Sequence, residues 1–174
     1  GIDVDPANPL RIVASTMNTY LLQYTPSGGS GAYGDRFFLS TDGGTTWKDL
    51  VGTSGIKLLG NGCTWISGSG ASIHWAGDIK FNPFNTAQAS VVSGNGIFTC
   101  DDVDATQTTW KFDAKGQEES VPYDLISIPS GPALSVIADY DGFKHTDVTV
   151  YASQYVPTMG SSTGLSYSAG NTNK

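Results

Sequence analysis

Short runs of alternating apolar and polar residues, separated by turn residues, make up most of the chain. Typical runs are RIVAST, DRFFLST, ASVVSGNGIFTC and ALSVIADYDGF, and helical periodicity is nearly absent. Alternation with a period of two places successive side chains on opposite faces of a β-strand. The 22 glycines and 8 prolines favour many tight turns and disfavour long helices. The pattern therefore predicts an all-β protein.

The sequence also contains an internal repeat of the form strand, turn, strand. Its copies begin at Ile2 (IDVDPAN), at Ile79 (IKFNPFN) and, more weakly, at Leu125 (LISIP), and each leads into a second β run. Proline fixes φ, and a flanking Asp or Asn bonds its own backbone, so the motif is typical of a turn between strands. The second and third copies start 46 residues apart, about the length of one propeller blade.

This spacing predicts a partial β-propeller spanning residues 1–174. Its blade units lie roughly at 1–50, 73–113 and 120–174, and the Gly/Ser-rich stretch 51–72 is predicted to be a loop insertion. A closed propeller of seven blades needs roughly 300 residues at this spacing, so the chain supplies about three to four blades. We expect the remaining blades to come from the same protein or from another chain.

The stretch STDGGTTW (40–47) follows the β run of the first blade, and TCDDVDATQTTW (99–110) occupies the equivalent place in the second. This pattern resembles the Asp-box of sialidases, sortilin-type receptors and several glycosidase propellers. Its recurrence favours a hairpin in which the carboxylate accepts backbone N–H groups and the tryptophan, Trp47 or Trp110, packs in the core. A calcium loop would need more carboxylates. The residues given this structural role are Ser40, Asp42, Gly44, Thr46 and Trp47.

Charge and cysteine content narrow the possible partners. Only 14% of residues are charged and the net charge is −7, which repels phosphate backbones and anionic membranes, so neither nucleic acid nor a membrane is an expected partner. Cys63 and Cys100 form either two buried thiols or one disulfide. The low lysine content and abundant Gly, Ser, Thr and Asn favour an extracellular, secreted protein. Two histidines make a poor metal site, and no metal or cofactor is expected.

Four pieces of sequence, in order, resemble the xyloglucanases of glycoside hydrolase family 74. They are DIKFNPFN (78–85), SGNGIF (93–98), KGQEESVPYDLISIPSGP (115–132) and SVIADYDGFKH (135–145). The resemblance implies paired seven-bladed propellers with Asp-boxes and an inverting endo- or exo-β-1,4-glucanase. The expected partner is therefore a polysaccharide, xyloglucan or a related β-glucan. The choice between endo and exo action and the preference for branches stay open.

The resemblance also implies two catalytic aspartates. One lies in a family stretch G-D-x-G-G-F, which corresponds to Asp139 here, although Ala138 and Asp141 depart from that pattern. We assign Asp139 the general-acid role. The family carries the partner aspartate in a stretch like M-D-x-G-G, which this sequence lacks, so we expect that carboxylate to lie outside this chain.

Aromatic residues are the candidates for substrate binding, because glucan chains stack on flat aromatic faces. The stacking candidates are Trp65, Trp75, Tyr140 and Phe143, with Trp75 first. His74 and His145 are also compatible with ordinary loop or core histidines. The predicted substrate-binding set is Trp75, His74, Asp141, Phe143 and His145.

Two functions from different classes fit this sequence. The first is part of a secreted glycoside hydrolase that cleaves the β-1,4-glucan backbone of xyloglucan. The second is a non-catalytic Asp-box propeller segment that binds carbohydrate or protein. A sialidase is excluded because it needs several arginines around a carboxylate, and the chain has only Arg11 and Arg36.

Overall fold

The computed structural model describes residues 1–24, 32–52, 56–68, 72–117, 120–157 and 159–171. Over these ranges the chain is almost entirely β, which confirms the predicted class, and it has one short helix, α1 (Thr64–Gly68). The strands are β1 (Ile2–Val4), β2 (Ile12–Ser15), β3 (Leu21–Tyr24), β4 (Ala32–Gly34), β5 (Phe37–Ser40), β6 (Lys48–Asp49), β7 (Lys57–Leu59), β8 (Asp78–Asn82), β9 (Asn85–Ser93), β10 (Gly96–Cys100), β11 (Thr109–Phe112), β12 (Pro122–Ser127), β13 (Ala133–Ile137), β14 (Asp141–His145) and β15 (Ser153–Gln154). Among the described residues, no helix has the length and apolarity that crossing a membrane requires.

The chain divides into two units, Gly1–Glu119 and Ser120–Lys174. Unit 1 holds a four-stranded sheet in the order β1-β2-β5-β6, a five-stranded sheet in the order β7-β11-β10-β9-β8, and the hairpin β3-β4. Unit 2 holds a four-stranded antiparallel sheet in the order β12-β13-β14-β15. Four antiparallel strands in this arrangement are the sheet of a propeller blade, as predicted.

The three copies of the internal repeat correspond to three pairs of consecutive strands, one pair in each of the three larger sheets. Strands β1 and β2, β8 and β9, and β12 and β13 each pair antiparallel across the predicted turn. In the first copy the Asp5 carboxylate accepts the N–H of Ala7 at 2.8 Å, and in the second Asn82 accepts that of Phe84 at 3.0 Å. The predicted side-chain-to-backbone bonds beside the prolines are therefore confirmed in these two copies.

The described part of the stretch 51–72 holds a strand and a helix, where a loop insertion was predicted. Within it, β7 pairs in parallel with β11 at the edge of the five-stranded sheet, and α1 follows. Ile56 and Ile66 are buried there, so apolar side chains anchor a segment whose composition is rich in glycine and serine. Residues 53–55 and 69–71 lie outside the described residues.

The core of unit 1 lies between its two larger sheets. The ring of Phe37 on β5 meets that of Trp110 on β11 with centroids 5.1 Å apart, and both side chains are fully buried. Cys63 and Cys100 are buried and are not joined by a disulfide, so the disulfide alternative is wrong for this structure. Burial raises the pKa of the Cys100 thiol.

Unit 2 has an apolar row on its edge strand. Val121, Tyr123 and Leu125 alternate along the chain into β12, and they are 55%, 51% and 67% exposed. On the neighbouring strand β13, Val136 and Ile137 are buried. The edge strand of this sheet therefore carries exposed hydrophobic surface.

Arg11 joins the two larger sheets of unit 1. It donates to the Asp5 carboxylate at 2.7 Å, to the Thr86 carbonyl at 3.0 Å and to Asp104 at 2.7 Å, and its guanidinium lies 5.2 Å from the Phe81 ring centroid. Burial raises the pKa of Asp5, but hydrogen bonds from its partners outweigh that effect and leave the pKa lowered. Arg11 thus neutralises a buried carboxylate at the junction between the sheets.

Replacing Arg11 by methionine should destabilise the protein strongly, because Asp5 would remain as a buried charge without its partner. We expect the Arg11→Met variant to lose about 3 kcal/mol of unfolding free energy, measured by urea denaturation at neutral pH. The matched control is Lys80→Met, whose ion pairs with Asp3 and Asp78 are more exposed and should contribute less than about 1 kcal/mol. Equal losses in the two variants would contradict this role for Arg11.

Candidate functional site

The STDGGTTW stretch forms a hydrogen-bonded turn around one carboxylate. Asp42 accepts the Thr46 N–H at 2.8 Å, the Thr46 hydroxyl at 2.6 Å and the Ser40 hydroxyl at 2.9 Å. The Ser40 hydroxyl oxygen in turn accepts the Gly44 N–H at 2.8 Å, and Gly44 has a φ of 90°, which glycine adopts without strain. The bonds predicted for Asp42 across the turn are therefore present.

The two tryptophans of this pattern differ in burial. Trp110 is fully buried, as expected, and its indole N–H donates to the Thr108 hydroxyl at 3.0 Å. Trp47 is 41% exposed, so the prediction that it packs in the core is wrong. Its indole N–H donates to the Gly44 carbonyl at 3.0 Å, which holds the ring over its own turn.

Trp75 presents an aromatic face to solvent in unit 1. The side chain is 46% exposed, and its backbone has a φ of 52°, which is unusual for a bulky residue. His74 stacks against it, with ring centroids 4.7 Å apart and planes 23° from parallel. A Cβ at Gly94 would overlap Cε3 of the indole, so only glycine leaves room for the ring in this position. His74 and Gly94 therefore both lie against the indole.

Two buried polar side chains hold the backbone around Trp75. Gln23 donates to the Ile73 carbonyl at 2.7 Å and accepts the Ile73 N–H at 2.9 Å. Asp35 accepts the Ala76 N–H at 2.9 Å, and both side chains are only 1% exposed. Sequence reasoning missed these residues. The signal was a glutamine within an otherwise apolar strand, LLQY.

Asp139 lies in the three-residue connection between β13 and β14, where Ile137 pairs with Asp141. Its φ is 65°, its side chain is exposed, and its N–H donates to the Ser161 hydroxyl at 2.8 Å. A non-glycine residue held at positive φ is a mark of a constrained site. The structure thus presents the Asp139 carboxyl to solvent on a short, tied loop.

Asp141 occupies a different environment from Asp139. It is 1% exposed, and its carboxylate accepts the Met159 N–H at 2.6 Å and the Ser162 hydroxyl at 3.3 Å. Both oxygens are therefore committed within unit 2. The predicted contact between Asp141 and substrate does not fit this burial, because a buried carboxylate with protein partners on both oxygens has no face for a ligand.

The other candidates fall into separate places. Trp65 in α1 is buried, so the prediction that it stacks on sugar is wrong. Phe143 and His145 lie on β14 with rings 6.2 Å apart, both half-buried, and Nε2 of His145 lies 2.9 Å from the Ser135 hydroxyl. Tyr140 is half-buried beside Asp139. Within the described ranges, no three His, Cys, Asp or Glu side chains gather into a metal-binding group.

Sequence comparison finds no matching family model. A xyloglucanase of Acetivibrio thermocellus is 30% identical over 194 residues, which cover 96% of this chain and 21% of that protein. A xyloglucanase of a Paenibacillus species is 26% identical over 85% of this chain and 15% of its own length. The chain therefore spans about a fifth or less of the length of these curated relatives.

Crystal structures of family 74 enzymes are similar to this fold. The glycoside hydrolase family 74 enzyme of Niastella koreensis superposes with a TM-score of 0.82 and 44% identity, over 99% of this chain and 24% of that one. The family 74 xyloglucanase of Xanthomonas campestris gives a TM-score of 0.69 and 28% identity, over 91% of this chain and 21% of that one. Nearly the whole chain is matched in both comparisons.

The hydrogen bonds at Asp42 should be visible in its titration. The Thr46 hydroxyl and N–H, followed by the Ser40 hydroxyl, lower the pKa of Asp42 from 3.8 to about 2. We expect Thr46→Val to raise this pKa toward 3.8, measured by NMR titration of the carboxyl carbon. The control is Thr45→Val. The Thr45 hydroxyl donates to the main-chain oxygen of Asp42 and not to its carboxylate, so its removal should leave the pKa of Asp42 near 2.

The lowered pKa also fixes the sign of the pH dependence. A carboxyl with a folded pKa below its unfolded value stabilises the fold above pH 3.8 and loses that contribution as the pH falls toward 2. The Thr46→Val variant should therefore differ from wild type in stability above pH 3.8 more than at pH 2. An unchanged Asp42 pKa in this variant would rule out the Thr46 hydroxyl as a cause of the lowered pKa.

Proposed function

From its relationship to glycoside hydrolase family 74 over nearly its whole length, we propose that this chain is a segment of a secreted xyloglucan-cleaving enzyme. The observation that carries the proposal is the exposed Asp139, held at positive φ on a short loop within a family 74-like blade. The enzyme cleaves β-1,4-glucan backbones with inversion, and Asp139 is its general acid.

Inversion requires two carboxyl groups about 6.5–9.5 Å apart, one to protonate the leaving oxygen and one to activate water. Asp139 donates its proton to the glycosidic oxygen as the bond to the anomeric carbon breaks. The second carboxylate, the general base, comes from outside these 174 residues.

Trp75 is the proposed stacking platform for the glucan. A flat, half-exposed indole offers apolar area to the face of a sugar ring, and its fixed position keeps the entropic cost of binding small. His74 supports the indole by stacking on it, while Gln23 and Asp35 fix the backbone on either side. Phe143 and His145 are proposed as further contacts in unit 2, where both remain half-buried.

Secretion follows from the proposed substrate, because a polysaccharide must be cut before it can enter a cell. The two thiols are compatible with an oxidising environment, since Cys63 and Cys100 are each only 1% exposed. Burial protects a thiol from oxidation by limiting access and by disfavouring the thiolate.

Replacing Asp139 by asparagine should abolish proton donation while keeping the size of the side chain. We expect kcat on xyloglucan to fall roughly 10²- to 10⁴-fold in the enzyme that contains the remaining blades, measured as new reducing ends. The control is Asp147→Asn, an exposed carboxylate in the same unit, which should keep wild-type activity. A wild-type protein that binds xyloglucan without cleaving it would instead support the non-catalytic binding segment.

Removing the indole of Trp75 should weaken xyloglucan binding. We expect Trp75→Ala to raise the Kd for a xyloglucan oligosaccharide about tenfold, measured by calorimetry. Gly94→Ala should weaken binding as well, because its new Cβ displaces the ring while the indole itself is kept. Trp47→Ala, which removes a tryptophan of similar exposure, is the control, and an equal loss in that variant would contradict the platform.

A further inference from the structure

We infer that Asp141 is a positioning residue that ties residues 159–162, here called the strap, to the loop that carries Asp139. The inference rests on the proposed function, because it concerns how the proposed acid is aimed. It assigns Asp141 a role within the protein in place of the substrate contact expected from the sequence.

The strap and the loop are joined by four hydrogen bonds. The Asp141 carboxylate accepts the N–H of Met159 at 2.6 Å and the hydroxyl of Ser162 at 3.3 Å. The Asp141 N–H donates to the carbonyl of Gly160 at 2.8 Å. The Asp139 N–H donates to the Ser161 hydroxyl at 2.8 Å. Each of the four strap residues therefore bonds either Asp139 or Asp141.

The backbone of this loop needs such support. Asp139 and Asp141 have φ angles of 65° and 58°, a region that residues with a Cβ adopt only when their surroundings hold them there. Next to them, Gly142 has a φ of 150°, and a Cβ at that position would overlap the carbonyl of Ser135 on β13. The connection is thus drawn tightly against β13, and the strap closes it from the other side.

The identity of residue 141 carries the specific part of the inference. Glycine at this position would adopt positive φ without strain but would offer no side chain to bind the strap. Aspartate accepts the strain and gains two acceptor oxygens. Asp141 is 1% exposed, and a buried carboxylate that loses its hydrogen-bond partners is costly. Movement of the strap away from Asp141 would therefore be unfavourable.

This arrangement matters for catalysis because a proton donor must be aimed closely at the leaving oxygen. The side chain of Asp139 is exposed, so its position depends mainly on the backbone that carries it. The strap holds that backbone through the bond from the Asp139 N–H to Ser161. Loosening the strap should therefore reduce the fraction of molecules in which Asp139 points correctly. Substrate binding elsewhere should be unaffected.

Two variants test the anchoring. Asp141→Asn keeps the side-chain shape but removes the charge and one acceptor, while Ser161→Ala removes only the exposed hydroxyl that accepts the Asp139 N–H. We expect amide hydrogen exchange at Met159 and Asp139 to accelerate at least tenfold in Asp141→Asn. Ser161→Ala should accelerate exchange at Asp139 alone. The control Asp147→Asn should change neither amide, and unchanged exchange in Asp141→Asn would overturn the inference.

Kinetics in the enzyme with its remaining blades test the consequence. Asp141→Asn and Ser161→Ala should each lower kcat on xyloglucan by tenfold or more and keep KM within about twofold of wild type. Ser161→Thr, which keeps a hydroxyl, should have the wild-type kcat. Variants that keep wild-type kcat, or that lose only thermal stability, would overturn the positioning role. A wild-type enzyme without hydrolytic activity would instead defeat the proposed function and this catalytic role together, while the exchange data would still decide whether Asp141 anchors the strap.

Discussion

The structure of unit 1 depends on burying the apolar faces of two neighbouring sheets against each other. A sheet of four or five short strands cannot bury its own faces, so blades are stable only when they stack. Phe37 and Trp110 meet at this contact, and their full burial shows how closely the sheets approach. Arg11 completes the junction because it binds the Asp5 carboxylate and the Thr86 carbonyl and lies close to the Phe81 ring.

The loops that emerge from these sheets are fixed by buried polar side chains. Gln23 and Asp35 bind the backbone on either side of Trp75, and Asp141 binds the strap beside Asp139. Trp75 and Asp139 are both exposed residues at positive φ. A buried side chain restrains the backbone that carries Trp75, and another restrains the strap that lies against the loop of Asp139. Such acceptors are reliable supports because a buried polar group that loses its partner is costly.

Local sequence patterns predicted the all-β class, the blade sheets and the strand-turn-strand repeat. These features depend on neighbouring residues, such as the Asp or Asn before each proline and the alternation along each strand. The parallel pairing of β7 with β11 was missed because β7 has three residues and its partner is some fifty residues away. The exposure of Trp47 and the burial of Asp141 were missed for a related reason. The burial of Asp141 depends on bonds to Met159 and Ser162, which lie some twenty residues outside the stretch that the sequence singled out, and the motif residue Gly44, which binds the Trp47 indole, does not by itself show how exposed that ring is.

The apolar row on β12 has a consequence for work with the isolated chain. Among the described residues β12 is an edge strand of its sheet, with the exposed side chains of Val121, Tyr123 and Leu125 beside that edge, and an exposed hydrophobic edge is a template for pairing with another molecule. The net charge of −7 opposes such pairing at low ionic strength, but salt screens that repulsion. Purification in dilute buffer and substitution of Leu125 by lysine are therefore the rational ways to keep the chain monomeric in solution.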